Sequence, residues 1–461
     1  VNHTSRALLH AVAITPARQV ALEILKRVSA GAEVEAGEIL DRLLVKHALG
    51  RQDSALATEL VYGVLRHQGY LDAWIETFSA PPLRRLPKPL LLALRVAFYQ
   101  ILFLDKIPDS AAVNTTVEWV KLETGTGPAR LANALLREAI RHRERFKLPD
   151  PTIDRSGYLS IQYSHPRWIV QRWLSRWGTQ RTENLLRADG SPPPLTVRIN
   201  PRVVSREAFC SEVVALGGEA EPTRISPVGV IVRGISPRQL PTYAVGGCYI
   251  QDEAAQLISY LVAPEPGQRV LDACAAPGGK ATHLSELMGK TGEVIAGDRS
   301  LQRLERLREN VARMGGRNLA VRPFDVTKPG TEAPFDRILV DAPCSALGTL
   351  RRNPEGKWRK EPSIVLQYAH QQRQILEGAS SLLRAGGRMV YATCSTEPEE
   401  NQAVVEDFLS DHPDFRLSPA GPFMPQAPEL VDEKGYFNTF FNADRMDFFF
   451  AACLVRRPLR D

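Results

Sequence analysis

Gln268-Arg269-Val270-Leu271-Asp272-Ala273, followed by Cys274-Ala275-Ala276-Pro277-Gly278-Gly279-Lys280, decides the fold of this chain. The first six residues read as a short apolar strand and the next seven as a glycine turn. Residues 281–288 then carry helical spacing, with Leu284 and Met288 on one face. A second strand, 293–297, stops at Asp298. Strand, glycine turn, helix, strand and acid is the doubly wound nucleotide-binding plan. Its glycines let the backbone approach a ligand, and a carboxylate ending the second strand can hold ribose hydroxyls. The turn has no G-x-G-x-x-G, so the pyrophosphate cradle of a dinucleotide site is missing. The ligand is expected to contain a nucleoside.

Downstream, the strand 319–324 closes on Asp325, which is placed to meet an adenine, and the strand 335–340 closes on Asp341. That acid opens Asp341-Ala342-Pro343-Cys344-Ser345, and a later strand ends in Tyr391-Ala392-Thr393-Cys394-Ser395. Ligands of open parallel sheets sit outside the carboxyl ends of the strands, where Asp298, Asp325, Asp341, Cys344 and Cys394 would all project. Two thiols on one sheet edge, one of them near a carboxylate, point to nucleophilic chemistry on an electron-poor ring. The plainer readings are small thiols packed at strand ends and helix caps for Asp298 and Asp325. A zinc site would want a C-x-x-C or clustered histidines, which do not accompany the pair. Spacing does not decide which thiol attacks. Cys210, Cys248 and Cys453 read as core residues.

The chain resembles the S-adenosylmethionine-dependent RNA cytosine-C5 methyltransferases, and within them the bacterial enzymes that act on small-subunit ribosomal RNA. The matching stretches are Gln251-Asp252-Glu253-Ala254-Ala255, the loop 274–280, Asp298 with Arg303, Asp341-Ala342-Pro343-Cys344-Ser345 and Ala392-Thr393-Cys394-Ser395. With the amino-terminal region, the resemblance covers nearly the whole chain. It implies S-adenosylmethionine as cofactor, held by Cys274, Ala275, Ala276, Pro277, Gly278, Gly279, Lys280, Asp298, Arg303, Asp325 and Asp341. It further implies methyl transfer to carbon 5 of a cytosine through a covalent adduct. Cys394 would attack carbon 6, Cys344 would assist release, and Asp341 would hydrogen-bond the ring at nitrogen 3 and the exocyclic amine. The chemistry is coherent, since addition of a thiolate at carbon 6 turns carbon 5 into an enamine carbon able to attack a methyl sulfonium. An ordinary carboxylate is ionised at pH 7, so donation to nitrogen 3 calls for a raised pKa or a shared proton. The alternatives are the same reaction on transfer RNA and a non-catalytic RNA-binding assembly factor. Two departures touch the substrate loops: Asn353 stands where the family tends to have His, and Asp447-Phe448-Phe449-Phe450 where it tends to have Asp-Gly-Phe-Phe.

A chain of 461 residues with a 44% apolar fraction has material for about three domains. The expected fold is multidomain: an all-helical domain over 1–147, a small α+β module of RNA-recognition type over 148–240, and a Rossmann-like α/β methyltransferase domain over 241–461. Helical spacing runs through 17–28, 54–66, 71–78, 89–104, 111–122 and 130–145. Leu60-Val61-Tyr62-Gly63-Val64-Leu65-Arg66 and Leu131-Ala132-Asn133-Ala134-Leu135-Leu136-Arg137 resemble the RNA-binding antitermination factor NusB. In the middle module, helices 166–177 and 180–188 precede a strand 195–199, a helix 205–216 and a strand 228–232, without the aromatic RNP pattern.

A net charge of +6 fits a nucleic-acid partner. Arg137, Arg141, Arg143, Arg145 and Lys147 form one basic cluster, and Arg351, Arg352, Lys357, Arg359 and Lys360, with Trp358, form a second. The second is expected to hold phosphates beside the active site, and a solvated face is the alternative for both. Six cysteines without a framework and no secretory signal fit free thiols in the cytoplasm. The apolar stretch 7–14 is too short to span a membrane, and Val1 fits a translated alternative start codon. No metal, no membrane and a monomeric state are expected.

Overall fold

The computed structural model describes residues 14–31, 36–440 and 445–458; Val1 and most of the stretch 7–14 lie outside the described residues. The chain forms two compact units, one running to Ser191 and taking in Asn353–Arg359, the other made of Pro192–Arg352 and Lys360–Asp461.

The first unit is helical, with long helices at Pro16–Ser29, Arg51–Phe78, Lys88–Phe103, Asp109–Thr124 and Thr126–Arg141. Their apolar stripes meet in one core in which Leu60, Val61, Leu94, Val120 and Leu136 are fully buried. Residues 51–78 form one helix where the spacing predicts two. His67-Gln68-Gly69 interrupts the apolar period without breaking the helix. Gly69 is there for close approach: a Cβ on it would lie 2.6 Å from the Trp358 ring. The helix Ala36–Lys46 escaped the sequence reading because its buried Ile39, Leu40 and Leu43 span little more than one turn. Arg155–Gln162 and Arg167–Asp189 complete the unit, the latter broken at Gly178 (φ 70°), between the two helices predicted there.

The segment Asn353–Arg359 removes Lys357 from the expected phosphate-binding patch of the second basic cluster. Within the helical unit Lys357 is fully buried, its Nζ donating to the main-chain carbonyls of Arg66 (3.2 Å) and Ser164 (3.1 Å). Arg359 donates to the Val28 carbonyl at 2.5 Å. Glu355, also buried, accepts from the Ala36 amide at 3.0 Å. In the second unit Arg352 is held by Asp252 (2.9 Å) and Asp447 (2.8 Å), and Arg351 donates to the Pro192 carbonyl at 2.8 Å. Lys357 is sealed in and Arg351, Arg352 and Arg359 each bond within the chain, a use that a run of basic letters does not reveal.

The second unit contains two sheets. In the smaller one, β1 (Leu195–Ile199), β2 (Glu219–Pro222), β3 (Gly229–Arg233) and β4 (Cys248–Ile250) run antiparallel in the order β2-β3-β1-β4. The helix Arg206–Ala215 contributes Phe209 and Val213 to their core. Strand β2 was not anticipated; its sequence Glu-Ala-Glu-Pro is largely exposed and shows no apolar alternation.

The large sheet holds β5 (Arg269–Asp272), β6 (Glu293–Asp298), β7 (Leu319–Pro323), β8 (Phe335–Asp341), β9 (Leu383–Thr393), β10 (Phe415–Ser418), β11 (Phe437–Asn438) and β12 (Phe450–Arg456). Its order is β10-β12-β9-β8-β5-β6-β7, with β7, β6, β5, β8 and β9 parallel, β12 antiparallel to β9, and β10 and the short β11 each antiparallel to β12. The order reverses between β5 and β8, the switch point at which such sheets open a crevice. Helices Glu253–Val262, Gly279–Met288, Leu301–Met314 and Ser363–Ser381 accompany it. The central strands are near-continuous apolar runs, and Met389, Val390, Tyr391 and Ala392 of β9 are all fully buried, as parallel strands covered on both faces require. The expected α/β doubly wound architecture is present.

Candidate active site

A cavity of about 330 Å³ opens at the carboxyl ends of these strands. Of the predicted residues, Cys274, Ala276, Lys280, Asp298, Arg303, Asp325, Asp341, Cys344 and Cys394 line it. Ala275, Pro277, Gly278 and Gly279 do not. They form the turn behind it, and the turn is buttressed from the far side. Asn310 donates to the Pro277 carbonyl at 2.9 Å, buried Arg198 donates to the Gly279 carbonyl, and Gly278 sits at φ 111°. A Cβ on Gly278 would meet Leu307 at 2.7 Å, so glycine is required there on two counts.

On one side of the cavity the acids keep acceptors in reserve. Asp298 is buried; its Oδ1 accepts from the Ser300 amide at 2.9 Å, while its Oδ2 has no hydrogen-bond partner and lies 3.5 Å from Arg303 Nη1. The cap of the next helix, Leu301–Met314, is Ser300. Arg303 also donates to the Ala276 carbonyl at 2.8 Å, joining the glycine turn to the acid. Asp325 accepts from the Thr327 hydroxyl (2.7 Å) and amide (3.1 Å), and these bonds, the hydroxyl first, hold its carboxyl below the ordinary range. Burial, aided by Asp272 and Asp341, pushes the Cys274 thiol well up, so this residue offers backbone rather than a thiolate.

On the other side stand the thiols. Cys344 Sγ and Cys394 Sγ are 3.4 Å apart. The hydrogen bond to Cys394 and then burial push the Cys344 thiol well up. Lys280 Nζ donates to Asp341 Oδ2 at 2.7 Å and lies 4.9 Å from the centre of the Phe449 ring. Burial works against the Lys280 charge, but Asp341, together with Asp272 and Cys394, outweighs it and the pKa is raised. Ala346, in the left-handed region at φ 53°, turns the chain directly after these groups. Strained non-glycine backbone of this kind costs of order 1–3 kcal/mol and gathers at functional sites.

Sequence reasoning missed Arg299, Thr327, Gln371 and Phe449, which also line the cavity. Arg299 and Thr327 adjoin or follow the strand-end acids and were within reach of the argument. Gln371 lies mid-helix in Ser363–Ser381, with no local signal. Phe449 belongs to the divergent Asp447-Phe448-Phe449-Phe450 stretch. Phe448 is not in the left-handed region, so the glycine absent there is not required by the backbone, and the Phe448 amide donates to the Gly348 carbonyl at 3.0 Å. Among the described residues no cluster of His, Cys, Asp and Glu suited to a metal occurs, and no helix is long and apolar enough to cross a membrane.

The family description "16S rRNA methyltransferase RsmB/F" matches residues 259–455, "NusB family" matches 15–141, and a ferredoxin-like domain of RsmF/B-like methyltransferases matches 165–237. A Synechocystis protein named probable ribosomal RNA small subunit methyltransferase B is 36% identical over 95% of this chain and 99% of its own length. A Bacillus subtilis protein of the same name is 33% identical over 87% and 90%. Among solved structures, PH0851 superposes with a TM-score of 0.79 at 26% identity, covering 96% of this chain and 99% of that one. A methyltransferase homolog from Pyrococcus horikoshii gives 0.55 at 27% identity, covering 67% and 99%. With a NusB-like helical domain, a ferredoxin-like module and a methyltransferase sheet in one chain, the protein belongs to the RsmB/F family of 16S rRNA methyltransferases.

Proposed function

We propose that this protein transfers a methyl group from S-adenosylmethionine to carbon 5 of a cytosine in small-subunit ribosomal RNA, with Cys394 as the covalent nucleophile. The observation that carries the proposal is the thiol pair at 3.4 Å, with Lys280 and Asp341 beside it, facing the same cavity as Asp298 and Asp325. The donor set fits the cofactor. The buried Asp298 Oδ2, which has no hydrogen bond and lies 3.5 Å from Arg303, has room to accept from a donor such as a ribose hydroxyl. Asp325 stands where an adenine edge would lie, and the carboxylates suit a cationic sulfonium. Arg303 and the turn 274–280 would enclose the rest. When bound, S-adenosylmethionine supplies an electrophilic methyl group.

The chain's own residues do the remaining work. Cys394 adds its sulfur to carbon 6 of the cytosine, which makes carbon 5 nucleophilic. Asp341 accepts from the exocyclic amine. The Lys280 ammonium, bonded to Asp341, is the source of the shared proton that nitrogen 3 needs as charge builds on the ring. After methylation, with Cys344 assisting release, the carbon 5 proton passes to a base, its electron pair re-forms the carbon 5–carbon 6 double bond, and the carbon–sulfur bond breaks to return Cys394 as a thiolate. The helical unit is assigned to holding RNA, through the exposed cluster that includes Arg141 and Lys147. The protein is expected to work as a cytoplasmic monomer.

Purified protein incubated with radiolabelled S-adenosylmethionine and total RNA should label small-subunit ribosomal RNA, and bisulfite mapping should find the product at one cytosine. Label confined to transfer RNA would move the substrate. Label at a position other than carbon 5 would overturn the mechanism.

A further inference from the structure

The two thiols sit on separate strand ends, β8 and β9, and something must hold loops of different origin within 3.4 Å at sulfur. Backbone pairing does part of this. The Ala342 amide donates to the Ala392 carbonyl and the Gly348 amide to the Cys394 carbonyl, both at 2.9 Å. The rest converges on one buried carboxylate from the short helical turn Pro398–Glu400. Glu400 is fully buried. Its Oε1 accepts from the Ser345 amide at 2.7 Å and from Gln372 Nε2 at 3.2 Å. Its Oε2 accepts from both the Ser345 and Ser395 hydroxyls, which lie 3.0 Å from each other. Ser345 follows Cys344, and Ser395 follows Cys394.

We propose that Glu400 is the positioning residue of the reaction: one buried carboxylate clasps the residues next to both cysteines and so sets the distance between the thiols. This rests on the reading of Cys344 and Cys394 as the working pair. Three features favour positioning over simple filling of the core. A carboxylate accepts only, and here it meets donors from three separate stretches of chain, so its geometry is over-determined. A buried carboxyl would be released to its neutral form by desolvation, and the donors oppose that. The group therefore rigidifies the loops only while all its bonds are made. The adjoining Asn401 works on the same segment: its Nδ2 donates to the Ser395 carbonyl at 2.7 Å, and its Oδ1 accepts from the Thr393 hydroxyl, so the residues flanking Cys394 are fixed on both sides. Glu400 touches neither sulfur, and its action is through Ser345 and Ser395.

The test needs a readout of thiol geometry that does not depend on methyl transfer. In diamide, an azo oxidant, two thiols yield one S–S bond while their two protons and two electrons reduce the azo group to a hydrazine. The rate of Cys344–Cys394 disulfide formation, followed by mass spectrometry of peptides, reports their proximity. Glu400→Ala should slow it about tenfold or more. The same variant should lower kcat on the order of 100-fold, the scale of a misplacement of about 1 Å, with cofactor KM unchanged. Glu400→Gln keeps Oε1 for the Ser345 amide and offers an NH₂ group to the two hydroxyls, and should restore most of both. The double variant Ser345→Ala, Ser395→Ala leaves the carboxylate in place and should reproduce the loss if Glu400→Ala does not fold. Wild-type disulfide rates and turnover in the alanine variants would overturn the proposal. If the protein proved not to methylate carbon 5 while the disulfide rates still followed Glu400, the mechanism would fail and the clasp would stand.

Discussion

Two lysines, one in the helix that follows β5 and one in the helical unit, show what separates a reactive region from a satisfied one. Lys280 faces a carboxylate across 2.7 Å, and Asp341 keeps its pKa raised against the effect of burial. Lys357 faces main-chain carbonyls of Arg66 and Ser164, and burial lowers its pKa to about 8. Carbonyl dipoles stabilise an ammonium less than a carboxylate does. The first lysine lines a cavity with charge to lend, and the second is sealed into its unit. The same contrast holds more widely. The sheet edge leaves Asp298 Oδ2 without a hydrogen bond, with only the 3.5 Å ion pair to Arg303, whereas Lys357 has turned its donors inward.

If the sheet edge is the reactive region, the largest effect belongs to its thiols. Cys394→Ala should reduce methyl transfer by ~10⁶-fold, the scale on which a hydrolase fails when its nucleophile is removed. Cys344→Ala should still methylate but stall at release, accumulating a protein–RNA adduct that survives denaturing electrophoresis, while Cys394→Ala gives none. The reverse pattern would make Cys344 the nucleophile. Adduct from neither variant, with both still methylating, would remove the covalent mechanism.

The sealed region predicts a pH effect on stability with no counterpart at Lys280. Between pH 8 and the ordinary lysine pKa of 10.5, the unfolded chain holds the Lys357 proton and the folded chain does not. The unfolded state then binds more protons, so stability rises with pH across this window, by up to about 3 kcal/mol for this one group. Below pH 8 both states are protonated, and the burial penalty is constant. Denaturant titrations of wild type and Lys357→Met from pH 7 to 10.5 isolate the term by difference. A constant difference would mean that Lys357 stays charged throughout.

The large sheet and its edge were legible because their signals are local and periodic: apolar strands that close on Asp298, Asp325, Asp341, Cys344 and Cys394. The helical core was legible for the same reason. What the sequence hid is long-range. Lys357 and Trp358 look like a nucleic-acid patch until Arg66, Gly69 and Ser164 are known to meet them. Glu400 looks like one acid among the three of Glu397, Glu399 and Glu400 until the loops after two distant strands converge on it. A residue's letter records its capacity to bond, and only the fold records whether that capacity is already taken.

Asp298 gives a smaller test of the reserve at the sheet edge. Asp298→Ala should weaken cofactor binding by about 1.5–3 kcal/mol, the range for a hydrogen bond to a charged group, with the melting temperature little changed. Calorimetric titration showing wild-type affinity would take Asp298 out of the site.

The smallest effect belongs to the basic cluster that did remain exposed. In the helical unit Arg143 pairs with Asp109 at 2.7 Å and Arg145 with Glu138 at 3.0 Å, so part of this cluster is also engaged. Arg141 and Lys147 are exposed. If they contact phosphates, each alanine substitution should reduce the slope of log affinity against log salt by about 0.7, the single-strand value per contact, and weaken binding to any RNA alike. If the cluster is only a solvated face, the double variant should show the wild-type slope. Because the phosphate term carries no sequence information, the choice of methylated cytosine should stay the same in either case. A changed target would mean that these residues read the RNA as well as hold it.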